Sequence, residues 1–201
     1  MTASPRHLGI LVFDDVEELD AIGPYEVLAY WAQAFPEDGW TVSTISRDGG
    51  AITGAKGLRI HPDHSMTDAP DLDVLVHPGG MGTRPLLRDE EHLEWVRGQR
   101  EKVPLLTSVC TGSLVYAAAG LLYNRPATTH WGAMDELAKL EPTAELDHEA
   151  RYVDDGDIVT SAGISAGIDM ALHLVRRLSS LDRALEVQRG IQYDYWTPAG
   201  R

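Results

Sequence analysis

A parallel β-sheet sandwiched between helices is the fold the sequence predicts, on three observations. Short apolar runs alternate with stretches of helical spacing along the chain. Several of these runs are apolar at consecutive positions, as strands buried on both faces must be. No repeat, low-complexity tract or charged linker interrupts the pattern, so residues 1–201 read as one α/β domain with a short tail from about 193.

The elements follow in order. LGILVF (8–13) reads as a doubly buried strand ended by acids, and PYEVLAYWAQAF (24–35) as a helix with Pro24 near its start. WTVSTIS (40–46) alternates and reads as a second strand, and the glycine-rich region 48–63 as a small hairpin. LDVLVH (72–77) is a buried strand that runs into PGGMG. Residues 90–99 read as helix, VPLLTSV (103–109) as strand and 111–121 as helix. ATTH (127–130) is a short strand or extended turn, followed by a helix over 132–140. Asp155-Gly156, between extended runs 151–154 and 157–161, suits a type I′ hairpin turn. Residues 165–178 and 181–192 read as two helices, the first with Ile168, Leu172 and Val175 on one face.

A hydrophobic share of 43% is enough for an ordinary soluble core. Thirty-one acidic residues against 17 basic leave a net charge of −14, which repels phosphate backbones and argues against nucleic-acid binding. One cysteine excludes an internal disulfide and any thiolate metal cluster. The amino terminus, MTASPRHLGILVFDD, has only six consecutive apolar residues, too few for a signal-peptide core or a membrane span. A cytoplasmic protein without membrane contact is the expectation.

In a parallel sheet, ligands bind beyond the carboxyl ends of the strands. Three segments fall there: 14–23 after the first strand, 78–82 after LDVLVH, and Cys110 after VPLLTSV. S-V-C-T-G has the small-x-nucleophile-x-Gly spacing of a strand-to-helix elbow, in which the amide of Thr111 faces a developing anion. The helix amino terminus is then expected to lower the thiol pKa. On this local pattern a small apolar residue packed between strand and helix is an equal alternative. PGGMG fits neither a dinucleotide fingerprint nor a Walker loop; it is either a close-approach turn with an oxyanion donor at Gly80 or a plain loop. Asp20, in FDDVEELDAIGP, lies between Leu19 and Ala21-Ile22, which suits a perturbed acid or base, although most acids in such a run are solvated. His61 and His64 lack a third ligand at metal-site spacing. His130 is either a partner for the thiol or a packed histidine.

Taken together, LVFDDVEELDAIGPYEVL, DVLVHPGGMG, SVCTGSLVYAAAGLL, ATTHW and SAGISAGIDMALHL resemble the ThiJ/PfpI superfamily, whose fold is that of class I glutamine amidotransferases. They resemble most its isonitrile hydratases and the amidase-like sensory domains of AraC-type regulators. The resemblance runs in order from residue 8 to about 195. It implies a flavodoxin-like three-layer sandwich, a homodimer and a small-molecule substrate. It also implies Cys110, Asp20 and Thr111 as the catalytic set, with Gly79, Gly80 and Thr111 as oxyanion or substrate donors. Where protease-like relatives carry glutamate and histidine, this chain has Asp20 and Thr111, the combination of the hydratase branch. His130 then supports the site from behind, and no metal or organic cofactor is implied. The regulators continue into a helix-turn-helix module after the region matching QYDYW; this chain is expected to lack one. A ligand-sensing or cysteine-oxidation-sensing domain is the alternative to an enzyme.

Overall fold

The structure, a computed structural model, describes residues 6–195 and 197. The chain runs β1 (Arg6–Leu11), α1 (Glu18–Ala34), β2 (Trp40–Ser46), β3 (Ile52–Thr53), β4 (Arg59–Ile60), β5 (His64–Ser65), β6 (Val74–His77) and α2 (Thr83–Leu86). It continues α3 (Glu90–Lys102), β7 (Leu105–Val109), α4 (Gly112–Ala118), β8 (Pro126–Ala127), α5 (Met134–Leu140) and β9 (Glu145–Leu146). It closes with β10 (Tyr152–Asp154), β11 (Ile158–Ser161), α6 (Ala166–Leu178) and α7 (Leu181–Gly190).

The central sheet has seven strands in the order β10-β11-β7-β6-β1-β2-β5, and every neighbouring pair is parallel except β10 with β11. Both faces are covered, so the doubly apolar runs find their reason. Leu8, Ile10, Val74, Val76 and Leu105 pack with Leu28 and Trp31 of α1 and Met170 and Leu172 of α6. Leu11, Ile45, Leu75 and Leu106 pack with Leu93 and Val96 of α3 and Leu114 and Val115 of α4. This is the flavodoxin-like α/β sandwich expected.

Two local expectations change. The first helix begins at Glu18, so Pro24 lies inside it rather than at its start. Pro24 lacks an N–H for the Asp20 carbonyl, a loss offset by burial of its ring against Gly167 of α6. The consequence is functional, because Asp20 becomes a rigid first-turn helical residue. The β10–β11 turn is not type I′ at Asp155-Gly156: only Gly156, at φ 82°, has positive φ, and Asp155 N–H donates to Ile158 O at 2.9 Å, which makes Gly156-Asp157 the central pair.

The chain direction places the site. From β1 the chain crosses through α1 to β2 on one side, then returns to β6 on the other. The crevice at the carboxyl ends of β1 and β6 is the point where strand order reverses. Among the described residues no helix is long and apolar enough to cross a membrane.

Candidate active site

The strand β7 is buried along its whole length and delivers Cys110 to the top of the sheet. Cys110 takes φ 55°, a left-handed backbone that L-residues adopt at a cost of about 1–3 kcal/mol. Its surroundings hold it there. Cys110 N–H donates to the carbonyls of Ser161 and Ala162, both at 3.1 Å, at the end of β11. Its own carbonyl accepts from the hydroxyls of Thr129 at 2.8 Å and Ser113 at 3.2 Å. At Gly112, a Cβ would overlap the His77 carbonyl oxygen, so only glycine lets α4 start this close to β6.

Pro78-Gly79-Gly80 follows β6, and its peptide groups are tied to named partners. His77 Nδ1 lies 2.8 Å from the Pro78 oxygen. Gly79 N–H donates to Asp20 Oδ2 at 3.0 Å, and Gly79 oxygen accepts from Glu17 N–H at 3.0 Å. Gly80 N–H donates to Thr111 Oγ1 at 2.9 Å, while Gly80 oxygen accepts from the hydroxyls of Thr111 at 3.1 Å and Thr83 at 2.8 Å. A Cβ at Gly79 would overlap Thr111 N and lie 2.9 Å from Asp20 Oδ2. The loop therefore clamps α1 to the elbow.

These bonds change the expected donor set. The Gly79 and Gly80 amides are already engaged by Asp20 and Thr111, and the Thr111 hydroxyl is committed to the Gly80 peptide. The amides that face the Cys110 sulfur are those of Thr111 and Ile164. Ile164 itself has φ 53°, a rare conformation for a β-branched side chain, and it turns the chain so that its N–H reaches the thiol.

Asp20 is 0% exposed and Cys110 6% exposed, and their side chains face each other. Burial raises the Asp20 carboxyl to about 7, against the stabilising Gly79 amide and the thiol. Among the described residues its Oδ1 has no hydrogen-bond partner beyond the facing thiol. Burial, and then the Asp20 charge, push the Cys110 thiol up to about 12; the amides of Thr111 and Ile164 pull the other way and are outweighed. The expected lowering by the helix terminus is thus not met, because desolvation exceeds the pull of a short helix. Near neutral pH the carboxyl therefore passes between its protonated and ionised forms while the thiol keeps its proton.

The thiol opens into a cavity of about 260 Å³ rimmed by Met81, Arg84, His130 and Trp131. His130 caps the short 3₁₀ turn Trp131–Ala133, its Nδ1 accepting from Gly132 N–H at 3.1 Å. It stands between this cavity and a neighbouring one that reaches Arg151 and His148. Of the aromatic residues, Trp131 lies at the mouth, 81% exposed, whereas Trp31 is buried in the core. Tyr193 packs against the core edge and donates to Asp169 at 3.2 Å, and Trp196 lies outside the described residues, as does most of the tail after it. Ile164 and Arg84 escaped the sequence reading. Ile164 had a signal in SAGISAG, a glycine-rich stretch just beyond a strand; Arg84, which braces the loop by donating to Gly80 oxygen at 3.3 Å, had none.

Known proteins are similar to this chain over most of its length. The chain is 42% identical to the isonitrile hydratase of Pseudomonas putida over 186 residues, covering 92% of this chain and 78% of that one. It is 29% identical to the transcriptional regulator GbdR of Pseudomonas aeruginosa over 87% of its length, while spanning only 47% of that protein. A crystal structure of a ThiJ/PfpI family protein from Pseudomonas syringae superposes with a TM-score of 0.86 at 32% identity, covering 97% of this chain and 78% of that chain. The model of the DJ-1/PfpI family matches residues 6–177, a span that holds every strand and loop of the crevice. The chain belongs to the DJ-1/PfpI family.

Proposed function

We propose that the protein hydrates isonitriles to N-substituted formamides, with Cys110 as nucleophile and Asp20 as its proton partner. The observation that carries this reading is a fully buried carboxyl set against the thiol and poised near neutral pH. The 42% identity to an isonitrile hydratase supports the substrate class. A cavity of about 260 Å³ suits a small alkyl or aryl isonitrile.

An isonitrile, R–N≡C, reacts at its terminal carbon, which must gain both a nucleophile and a proton. The Cys110 proton passes to Asp20, and the sulfur bonds to that carbon as Asp20 delivers the proton to it. The product is a thioimidate, R–N=CH–S–Cys110. Charge on sulfur during transfer is met by the Thr111 and Ile164 amides, which need no reorganisation. Asp20, now a carboxylate, removes a proton from water as the water oxygen attacks the thioimidate carbon, and passes that proton to the nitrogen, giving R–NH–CH(OH)–S–Cys110 with Asp20 again a carboxylate. As the C–S bond breaks, Asp20 takes the hydroxyl proton and hands it to the leaving sulfur, which releases R–NH–CHO and restores the thiol. Thr111 serves through its amide, while its hydroxyl holds the Gly79-Gly80 loop whose Gly79 N–H donates to Asp20.

A ligand-sensing domain without turnover is the second reading, motivated by the regulator match. Peroxide sensing fits less well, because it calls for a standing thiolate and this thiol is pushed up to about 12. Incubation with several alkyl and aryl isonitriles, with formamide followed by mass spectrometry, separates these. The proposal expects product from the parent and none from Cys110→Ala. Equal traces from both, across all isonitriles, overturn it.

A further inference from the structure

Behind the Pro78–Gly79 peptide lies a pair of buried histidines that the reaction above does not use. His77 ends β6 and is 0% exposed; His92, in the first turn of α3, is 2% exposed. Asp89 caps that helix by accepting from His92 N–H at 3.1 Å. The two Nε2 atoms are 3.0 Å apart, and His77 Nδ1 is 2.8 Å from the Pro78 oxygen.

Simple valence assigns the protons. A carbonyl oxygen only accepts, so His77 Nδ1 carries a hydrogen and donates to Pro78. In a neutral ring His77 Nε2 then offers a lone pair, and the hydrogen between the rings belongs to His92. Burial keeps both rings neutral, holding His77 down to about 3 with help from His92 nearby, and His92 down to about 4 with help from Arg47. The chain of donors therefore has one direction: His92 to His77, His77 to Pro78 oxygen.

Pro78 C=O and Gly79 N–H are two ends of one planar amide. A hydrogen bond accepted at the oxygen fixes the plane and strengthens the N–H as a donor. That N–H donates to Asp20. We infer that His77 and His92 are positioning residues for Asp20, holding the Pro78–Gly79 peptide so that its N–H stays on the carboxyl and favours the carboxylate that accepts the Cys110 proton. The inference rests on Asp20 as the proton partner of Cys110, and not on the identity of the substrate.

The other groups around this chain remain in place when it is cut. Asp20 also faces Cys110, Glu17 and Lys56. His77 lies against Phe13 and Tyr116, and His92 against Arg47, Asp89 and Trp95.

The test measures alkylation of Cys110 by iodoacetamide against pH in the full chain, with no isonitrile present. The parent is expected to show an inflection that Asp20→Asn lacks. In His92→Leu, His77 loses its donor, and the inflection moves up by about half a unit to one unit, slowing alkylation below it about three- to tenfold. His92→Gln keeps an N–H within reach of His77 and returns the profile to that of the parent. Should His92→Leu fail to fold, the comparison moves to His77, where Asn keeps an N–H near the Nδ1 position and Gln does not. The inflection then shifts in the Gln variant alone. An unmoved inflection in the folded donor-less variant, or an equal shift with the donor-retaining one, overturns the inference. A parent with no Asp20-dependent inflection overturns the reading of Asp20 and the inference with it, whatever the isonitrile assay shows.

Discussion

The Asp20–Cys110 pair and the His77–His92 pair stand at opposite ends of one peptide, and burial acts on both in the same chemical sense. It favours the neutral form of every group. For the carboxyl that means a raised pKa, about 7, and a proton exchangeable at working pH. For the imidazoles it means lowered values, about 3 and about 4, and a fixed set of donors and lone pairs. The same desolvation thus makes one pair chemically mobile and the other chemically inert. The mobile pair opens on a cavity, and the inert one is sealed by Phe13, Tyr116 and Trp95.

The largest effect is expected from breaking the mobile pair. On the proposed mechanism Asp20→Asn removes a proton transfer worth about 10²–10⁴ in rate, so isonitrile turnover should fall by that factor. Its stability should rise. Asp20 is raised in the folded state above its ordinary value of 3.8, so the folded chain binds the proton more tightly. The stability contributed by the protonated carboxyl is complete below about 4 and lost as pH climbs through about 7. Urea unfolding at pH 8 should find Asp20→Asn more stable than the parent by roughly 1–4 kcal/mol. Equal or lower stability would show that desolvation is not what perturbs this group.

Gly112→Ala disturbs both pairs together. The added Cβ meets the His77 carbonyl oxygen and lies 2.9 Å from the Pro78 oxygen, and neither backbone group can swing aside. A loss of about 3 kcal/mol is expected, the upper end for overpacking, with weaker coupling of Asp20 to the thiol. Gly98→Ala is the contrast, since a Cβ there meets nothing within 4 Å in α3. It should stabilise by about 0.5–1 kcal/mol, read in the same urea titration.

A pH effect of the opposite sign to that of Asp20 comes from the histidines. The histidines are lowered below 6.5 in the folded state, so their stability contribution is full above about 6.5 and lost as pH falls toward about 4 and about 3. Each histidine that must take up a proton on unfolding lowers stability by about 1.4 kcal/mol per pH unit in that window. Unfolding at pH 6.5, 5.5 and 4.5 in Asp20→Asn isolates this slope, which should be at least one proton steep. A flat profile would mean that the pair is already charged or solvated.

Much of the fold was legible because strand burial writes itself into composition. Runs such as VLVH and LLTSV have no polar face and fit only a covered sheet. The elbow was legible as well, since its spacing places glycine where α4 nearly touches β6. The start of α1 was misread, because Pro24 signals a helix start locally and only packing on Gly167 lets it sit within one. The direction of the thiol shift was misread for a related reason: helix-terminus attraction is visible in sequence, and desolvation is not.

By itself, then, the sequence determined the layered architecture, the chain order and the residue types of the crevice: a thiol, a carboxyl and glycine turns beyond strand ends. Tertiary structure decided which groups meet. Asp20 reaches a peptide 59 positions away in the chain, and His77 reaches His92 across 15 positions and two elements. It also decided that the thiol holds its proton and that the Thr111 and Ile164 amides face it. Periodicity records which side of an element is buried. Hydrogen-bond direction and desolvation depend on what comes to lie opposite, and only folding supplies that.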